Sequence, residues 1–164
     1  MKNRRKLLVT AALIPFSAPY VLAGPGHDKP KTGPVKKEQK DWGIAGDEKS
    51  VNRTIKIGMS DNMRFTPDKI QVKQGETIKF TAKNDGKILH EFVLGTQKVL
   101  EEHAALMVKF PKMEHEEPYM MHVSPGKTGH IIWTFNRVGD LDFACLIAGH
   151  FQAGMVGKLK VVAA

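Results

Sequence analysis

The stretch that organises this sequence reads Phe143-Ala144-Cys145-Leu146-Ile147-Ala148-Gly149-His150-Phe151-Gln152-Ala153-Gly154-Met155. A thiol, an imidazole and a thioether recur in it at Cys145, His150 and Met155, with four residues between each pair. Gly149 and Gly154 precede the two later side chains, and glycine lets the backbone turn sharply at such points. The spacing predicts a loop that presents three donors to a soft metal ion.

The segments on either side of this loop have the pattern of β-strands. Leu141, Phe143 and Cys145 share parity, so the sulfur is expected to point inward at the end of a strand. The last strand of the chain follows the loop at 157–162. The loop therefore joins two neighbouring strands at one end of the fold.

A second histidine comes from an earlier predicted strand. His90 shares parity with the large apolar residues Phe92 and Leu94, so its imidazole is expected to point inward. A buried imidazole needs a polar partner. A core histidine satisfied by a hydrogen bond is the usual explanation, but here the partners could be Cys145 and His150.

Apolar and polar residues alternate along most of the chain from Arg53 onward, as in half-buried strands. The apolar positions are Ile55, Ile57, Met59, Ile70, Val72, Ile78, Phe80, Ala82, Ile131, Trp133, Phe135, Leu159 and Val161. Turn signals rich in Gly, Pro, Asn and Asp separate the segments. About seven or eight short strands at this spacing predict an all-β fold, an antiparallel Greek-key β-sandwich.

The donor set identifies the expected metal. Two imidazoles, a thiolate and a weak axial thioether form the trigonal site of blue-copper electron-transfer proteins. The chain has one cysteine, so it has no internal disulfide, and a free thiol is a liability in an oxidising compartment. Either copper occupies Cys145, or the residue is a buried, inert small hydrophobe.

From about residue 54 to residue 162 the chain resembles the cupredoxins, the family of plastocyanin, azurin and pseudoazurin. It is most similar to the periplasmic cupredoxins linked to copper tolerance. The resemblance implies a sandwich with one type 1 copper near one end. The implied ligands are His90, Cys145, His150 and Met155. Many members have small polar residues after the first histidine and after the cysteine, where this chain has Glu91 and Leu146. The shell that tunes the ligands is therefore expected to differ.

An insertion at about 96–119 interrupts the strand pattern. Within it, 97–109 has apolar residues at helical spacing, with acidic residues early and Lys109 late, as the helix dipole prefers. Thioether and imidazole side chains are frequent in and just after the insertion, namely His103, Met107, Met113, His115, Met120, Met121 and His122. They could form a second copper site. The alternative is a charged, solvated loop whose methionines cover the core.

Residues 1–23 have a cationic head, a short apolar run and an Ala23 cleavage site, which predicts a secretory signal peptide. Paired Arg4 and Arg5 leave both the Sec and the twin-arginine export routes open. Residues 24–50 are rich in Gly, Pro, Lys and Asp and are predicted to be a flexible tail before a cupredoxin domain at 51–164. Removal of the signal takes away four of the 25 basic residues and no acidic one, which lowers the formal charge from +8 to +4.

These features favour a periplasmic copper protein and exclude several other classes. A mild positive charge without a basic patch does not indicate nucleic-acid binding. The sequence has no His-X-His pair and no Cys-X-X-Cys-His motif, and no base is indicated beside the one cysteine, so no enzyme class is indicated. We expect a monomer that serves copper homeostasis or tolerance, without membrane contact after signal cleavage. The alternative is a one-electron shuttle between periplasmic redox partners.

Overall fold

The computed structural model describes residue 35, residues 37–111, residue 113 and residues 115–164. The predicted all-β class is confirmed, with a helix in the insertion. The elements are β1 (Ile44–Ala45), β2 (Arg53–Ser60), β3 (Arg64–Thr66), β4 (Lys69–Lys73), β5 (Thr77–Asn84), β6 (His90–Gly95), α1 (Gln97–Lys109), β7 (Met120–Val123), β8 (Thr128–Thr134), β9 (Gly139–Ala144) and β10 (Val156–Val162), with a short 3-10 turn at Glu48–Ser50.

The strands form two five-stranded sheets in the described part of the chain. Sheet I has the order β1-β8-β5-β2-β3, and sheet II has the order β4-β10-β9-β6-β7. Most neighbours are antiparallel, as predicted, but β2 pairs with β5 and β10 pairs with β4 in parallel. The difference arises because the chain leaves the sheet and returns to it between the two strands of each pair. Alternation along one strand does not reveal the direction of its neighbour.

The main core lies between the sheets and uses apolar positions that the alternation predicted. Sheet I contributes Ile78 and Phe80, and sheet II contributes Phe92 and Phe143, all fully buried. Phe92 packs against Phe80 and Phe143, with ring centroids 5.3 Å and 5.2 Å apart. This packing fixes β6 two residues beyond His90, at the end of the strand where the predicted donors lie.

Helix α1 covers the outer face of sheet II. The hydroxyl of Thr96 accepts a hydrogen bond from the N–H of Val99 at 3.4 Å and caps the first turn. Buried side chains of the helix form a second small core with the sheet, which includes Leu100, Ala104, Met107, Val93, Met120, Ala144 and Leu146. Strand β6 is therefore buried on both faces, and its outward-facing Glu91 is enclosed as well.

The end of the segment predicted to be a tail packs on the sandwich. Ile44 and Ala45 pair with Thr134 and Trp133 as an edge strand, although 24–50 was expected to be flexible. The indole N–H of Trp133 also donates to the carbonyl of the buried Trp42 at 2.8 Å. A few apolar residues at the end of the segment outweigh its polar composition. The signal peptide and the rest of the tail up to residue 34 lie outside the described residues.

Helices able to cross a membrane were sought in the described residues. None of those helices is both long enough and apolar enough to span a bilayer.

Candidate metal centre

Three donors predicted from two separate parts of the sequence meet at one end of the sandwich. His90 begins β6, Cys145 directly follows β9, and His150 lies in the loop between β9 and β10. Their donor atoms all lie within 4.8 Å of one another. The Cys145 sulfur is 3.2 Å from Nδ1 of His150, and the two imidazole centroids are 5.1 Å apart. His90 and Cys145 are fully buried, whereas His150 is partly exposed.

Met155, the fourth predicted donor, lies in the same buried cluster as Cys145. The N–H of Cys145 donates to the carbonyl of Met155 at 3.1 Å, and the N–H of Met155 donates to the carbonyl of His150 at 3.0 Å. These bonds close the loop so that its first and last residues lie side by side. The thioether is therefore kept at the same end of the core as the thiol.

The two loop glycines adopt the backbone conformation that the turn requires. Gly149 has φ +90° and Gly154 has φ +89°, a region that favours glycine. The guanidinium of Arg64 donates to the carbonyls of Ala153 and Gly154 at 3.1 Å and 3.3 Å. An exposed cation from sheet I thus fastens the end of the loop that leads to Met155.

His90 has one occupied nitrogen and one free nitrogen. Nε2 lies 3.1 Å from Oδ1 of Asp61, whereas the buried Nδ1 has no hydrogen-bond partner among the described residues. Such an unpaired buried nitrogen is costly unless another group binds it. The arrangement fits a metal ion, because an imidazole ligand commonly gives its other nitrogen to a carboxylate.

Asp61 is the functional residue that sequence reasoning missed. It lies in the turn after β2, and its Oδ2 accepts a hydrogen bond from the N–H of Lys87 at 2.7 Å. That hydrogen bond, more than its contact with His90, lowers the pKa of Asp61. A carboxylate in a polar turn is ordinary in a sequence, so nothing in the pattern indicated this contact.

The environment of Cys145 keeps its thiol protonated in the metal-free protein. Burial raises the pKa of Cys145 to about 12, although the N–H of Glu91 donates to the sulfur at 3.2 Å and favours the thiolate. The pKa of His150 is lowered, first by burial and then by the nearby His90, which favours the neutral imidazole. Neutral imidazoles are ready to ligate, whereas the thiol must release a proton when it binds a metal.

The methionines and histidines of the insertion and of β7 do not meet at one place. Met107 and Met120 lie in the small core beneath α1, Met121 lies in the main core, and Met113 is 40% exposed. The rings of His103 and His115 lie 4.5 Å apart. His122 lies instead against Glu91, with Nε2 3.0 Å from Oε1. Within the described ranges, the His90 group is the one set of three His, Cys or carboxylate donors this close together.

Comparison with known proteins agrees with this geometry. A family model described as "Copper binding proteins, plastocyanin/azurin family" matches residues 51–162. A protein of Rubrivivax gelatinosus called "Copper-resistant cuproprotein CopI" is 44% identical over 98% of this chain and 99% of its own length. A protein of the same name from Pseudomonas aeruginosa is 36% identical over 68% of this chain and 77% of its own length.

Solved structures show the same fold at lower identity. Reduced auracyanin from Roseiflexus castenholzii has a TM-score of 0.59 and 23% identity, and covers 68% of this chain and 98% of its own. Auracyanin B has a TM-score of 0.60 and 16% identity, and covers 73% of this chain and 96% of its own. At these identities the likeness supports the architecture and nothing finer.

Proposed function

The chain belongs to the plastocyanin/azurin family of copper-binding proteins, and on that premise we propose that it is a periplasmic copper-tolerance protein with one type 1 copper site. The proposed ligands are His90, Cys145, His150 and Met155. The observation that carries the proposal is the meeting of the imidazoles of His90 and His150 with the thiol of Cys145. The buried Nδ1 of His90 has no hydrogen-bond partner among the described residues. A relative that matches over nearly its whole length is named for copper resistance.

The protein's own groups would do two things at this site. Strand β6 fixes His90, and the hydrogen-bonded loop that begins after β9 fixes the other three donors, so that the donors need to move little. The Cys145 proton must leave, and Nδ1 of His150 is 3.2 Å from the sulfur. Copper, when bound, would supply one-electron chemistry between its cuprous and cupric states.

Of the four proposed ligands, His150 is the one that is partly exposed, and it therefore gives the site its contact with the exterior. Such an edge serves exchange of copper with a carrier. It also serves electron transfer to a docked redox protein, which is the alternative function. The name of the relatives favours tolerance. We propose that the partners are copper ions and periplasmic copper-handling or redox proteins, and that the protein is monomeric and not an enzyme.

The proposed compartment depends on residues 1–23, which have the composition of a secretory signal. Export by the Sec or the twin-arginine route would bring the chain to the periplasm. Copper bound to Cys145 would protect the one thiol of the chain in that oxidising compartment. The fate of the signal is tested by the N-terminal sequence of the protein purified from the periplasmic fraction, which should begin at Gly24.

A second copper site in the insertion is a further candidate function, which a specific observation favours. His103 and His115 lie close together, and both ring nitrogens of His115 are buried without a hydrogen-bond partner among the described residues. Imidazoles in this state are suitable copper ligands. The three buried methionines pack as core residues and give this site less support.

The experiment that tests the main function combines binding with physiology. Purified mature protein should bind one copper tightly, and its Cu(II) form should show an intense thiolate charge-transfer band. A strain without the gene should lose tolerance to copper, and the gene on a plasmid should restore it. A protein without the band would contradict the proposed site. A strain that keeps full tolerance, with a normal band in the protein, would favour the shuttle instead.

A further inference from the structure

Glu91 occupies an unusual position for an acidic residue. It follows His90 on β6, shares the parity of Val93 in the small core beneath α1, and is completely buried. The register of β6 with β9 runs only from Gly95 to Val93, opposite Asp142 to Ala144. The strands therefore part where the thiol and the first imidazole lie. Glu91 stands in this gap.

Glu91 bridges the gap with both its backbone and its side chain. Its N–H donates to the Cys145 sulfur at 3.2 Å, and its Oε2 accepts the N–H of Leu146 at 3.3 Å. Glu91 thus holds the thiol of Cys145 through its backbone and Leu146 through its side chain. Without the carboxylate, the N–H of Leu146 would lose this buried acceptor.

The second oxygen of the carboxylate meets the end of the insertion. His122 is the cross-strand neighbour of Glu91 on β7, and its Nε2 lies 3.0 Å from Oε1. Oε1 accepts no hydrogen bond among the described residues, and its contact with His122 is an ion pair when the imidazole is protonated. A buried carboxylate is costly without a partner of opposite charge.

We propose that Glu91 is a positioning residue for the copper thiolate, held in place by His122. This inference rests on the proposed ligation of copper by Cys145. The carboxylate holds the start of the ligand loop, and its negative charge acts on the metal through a buried medium in which charges are poorly screened. A fixed negative charge favours Cu(II) over Cu(I), so Glu91 lowers the reduction potential of the site. It also joins the copper site to β7, directly after the insertion.

Two substitutions, made in the full-length mature protein loaded with copper, separate the effect of the negative charge from the hold on the ligand loop. Glu91→Gln keeps an oxygen that can accept from Leu146 and removes the charge, so the reduction potential should rise while the charge-transfer band stays near its wild-type wavelength. Glu91→Leu also removes the acceptor, so the band should shift in addition. Asp142→Asn is the matched control, because Asp142 is a buried carboxylate paired with Lys158 on the same sheet, three residues before Cys145. Asp142→Asn should destabilise the protein and leave both the reduction potential and the charge-transfer band unchanged.

A double-mutant cycle tests the role of His122. His122→Gln should lower the free energy of unfolding more in the wild-type background than in Glu91→Gln, because only the former leaves a buried charge unpaired. If the two substitutions lower the free energy of unfolding additively, the pairing of Glu91 with His122 is overturned. Wild-type potential and band in both Glu91 variants would overturn the positioning role. A wild-type protein that shows no charge-transfer band would instead contradict the proposed copper ligation itself.

Discussion

Asp61 and His90 are joined by a 3.1 Å contact between Oδ1 and Nε2, and in the part of the chain that the structure describes the buried Nδ1 of His90 has no hydrogen-bond partner. The contact links the turn after β2 in sheet I to the first residue of β6 in sheet II. It fixes the imidazole so that Nδ1 is the nitrogen left for the proposed copper.

Replacement of Asp61 should weaken copper binding without unfolding the protein. Asp61→Ala removes the partner of His90 Nε2, and loss of such an outer partner typically costs about 10–100-fold in metal affinity. Competition with a chelator of known affinity would measure the loss. Asp85→Asn is the control, since Asp85 is an exposed carboxylate in a nearby turn, paired with Lys83. Equal affinity in Asp61→Ala and wild type would show that the contact does not orient the ligand.

The thiol and the thioether should behave differently when each is replaced. Cys145→Ser should abolish the charge-transfer band, because an alcohol does not replace a soft thiolate. Met155→Leu should keep copper and shift the colour and the potential, since the axial bond is weak. Its stability cost should stay below about 1.5 kcal/mol, as for other similar-volume swaps. Absorption spectra at one equivalent of Cu(II) report the band and the colour of both variants. A band that survives in Cys145→Ser contradicts the assignment.

Acid should destabilise the copper-free protein through His103. Its pKa is lowered in the folded state, first by burial and then by His115, while Glu91 acts in the opposite direction. Below the ordinary pKa of histidine, about 6.5, the unfolded chain therefore binds more protons at this position, and stability falls as the pH decreases. Urea unfolding at neutral and mildly acidic pH should show a smaller acid loss in His103→Gln than in wild type. The exposed His130 provides the control, and an identical pH slope in His130→Gln and His103→Gln would contradict the prediction.

Copper bound beyond the first equivalent should depend on imidazoles of the insertion. The double variant His103→Gln with His115→Gln should lose it and keep the charge-transfer band, because the main site is unchanged. Leu in place of the methionines at 107, 113, 120 and 121 should preserve the fold, at a cost of less than about 1.5 kcal/mol per site. Equilibrium dialysis gives the stoichiometry, and copper tolerance of the cells gives the physiological effect. If both variants bind and protect as the wild type does, the insertion is only a cover for sheet II.

Sequence patterns predicted where the strands and the helix lie better than they predicted which strands pair and in which direction. Alternation located most of the strands, because one face of each strand is buried in the main core, and helical spacing located α1. The edge strand at Ile44 was missed, because two residues are too short for a periodic pattern. The parallel pairs were missed because alternation carries no information about direction.

The same limit applies to the candidate site. Cys145, His150 and Met155 stand in one regular motif, and His90 shares parity with buried neighbours, so the sequence alone supported a donor set. Asp61 contacts the proposed ligand His90, and His122 contacts Glu91, through pairings of distant residues that only the folded chain creates. Residue type alone gave no reason to choose these two over other acidic residues and histidines.

The place of β10 in sheet II bears on how the chain is made. Strand β10 inserts between β4 and β9, so neither neighbour has its full set of backbone partners until residues 156–162 have been made. A chain that stops before Val156 would expose two open strand edges, which are templates for aggregation. It would also lack the strand that closes the ligand loop. Insertion of β10 is therefore the step that completes sheet II and fixes the far end of the ligand loop.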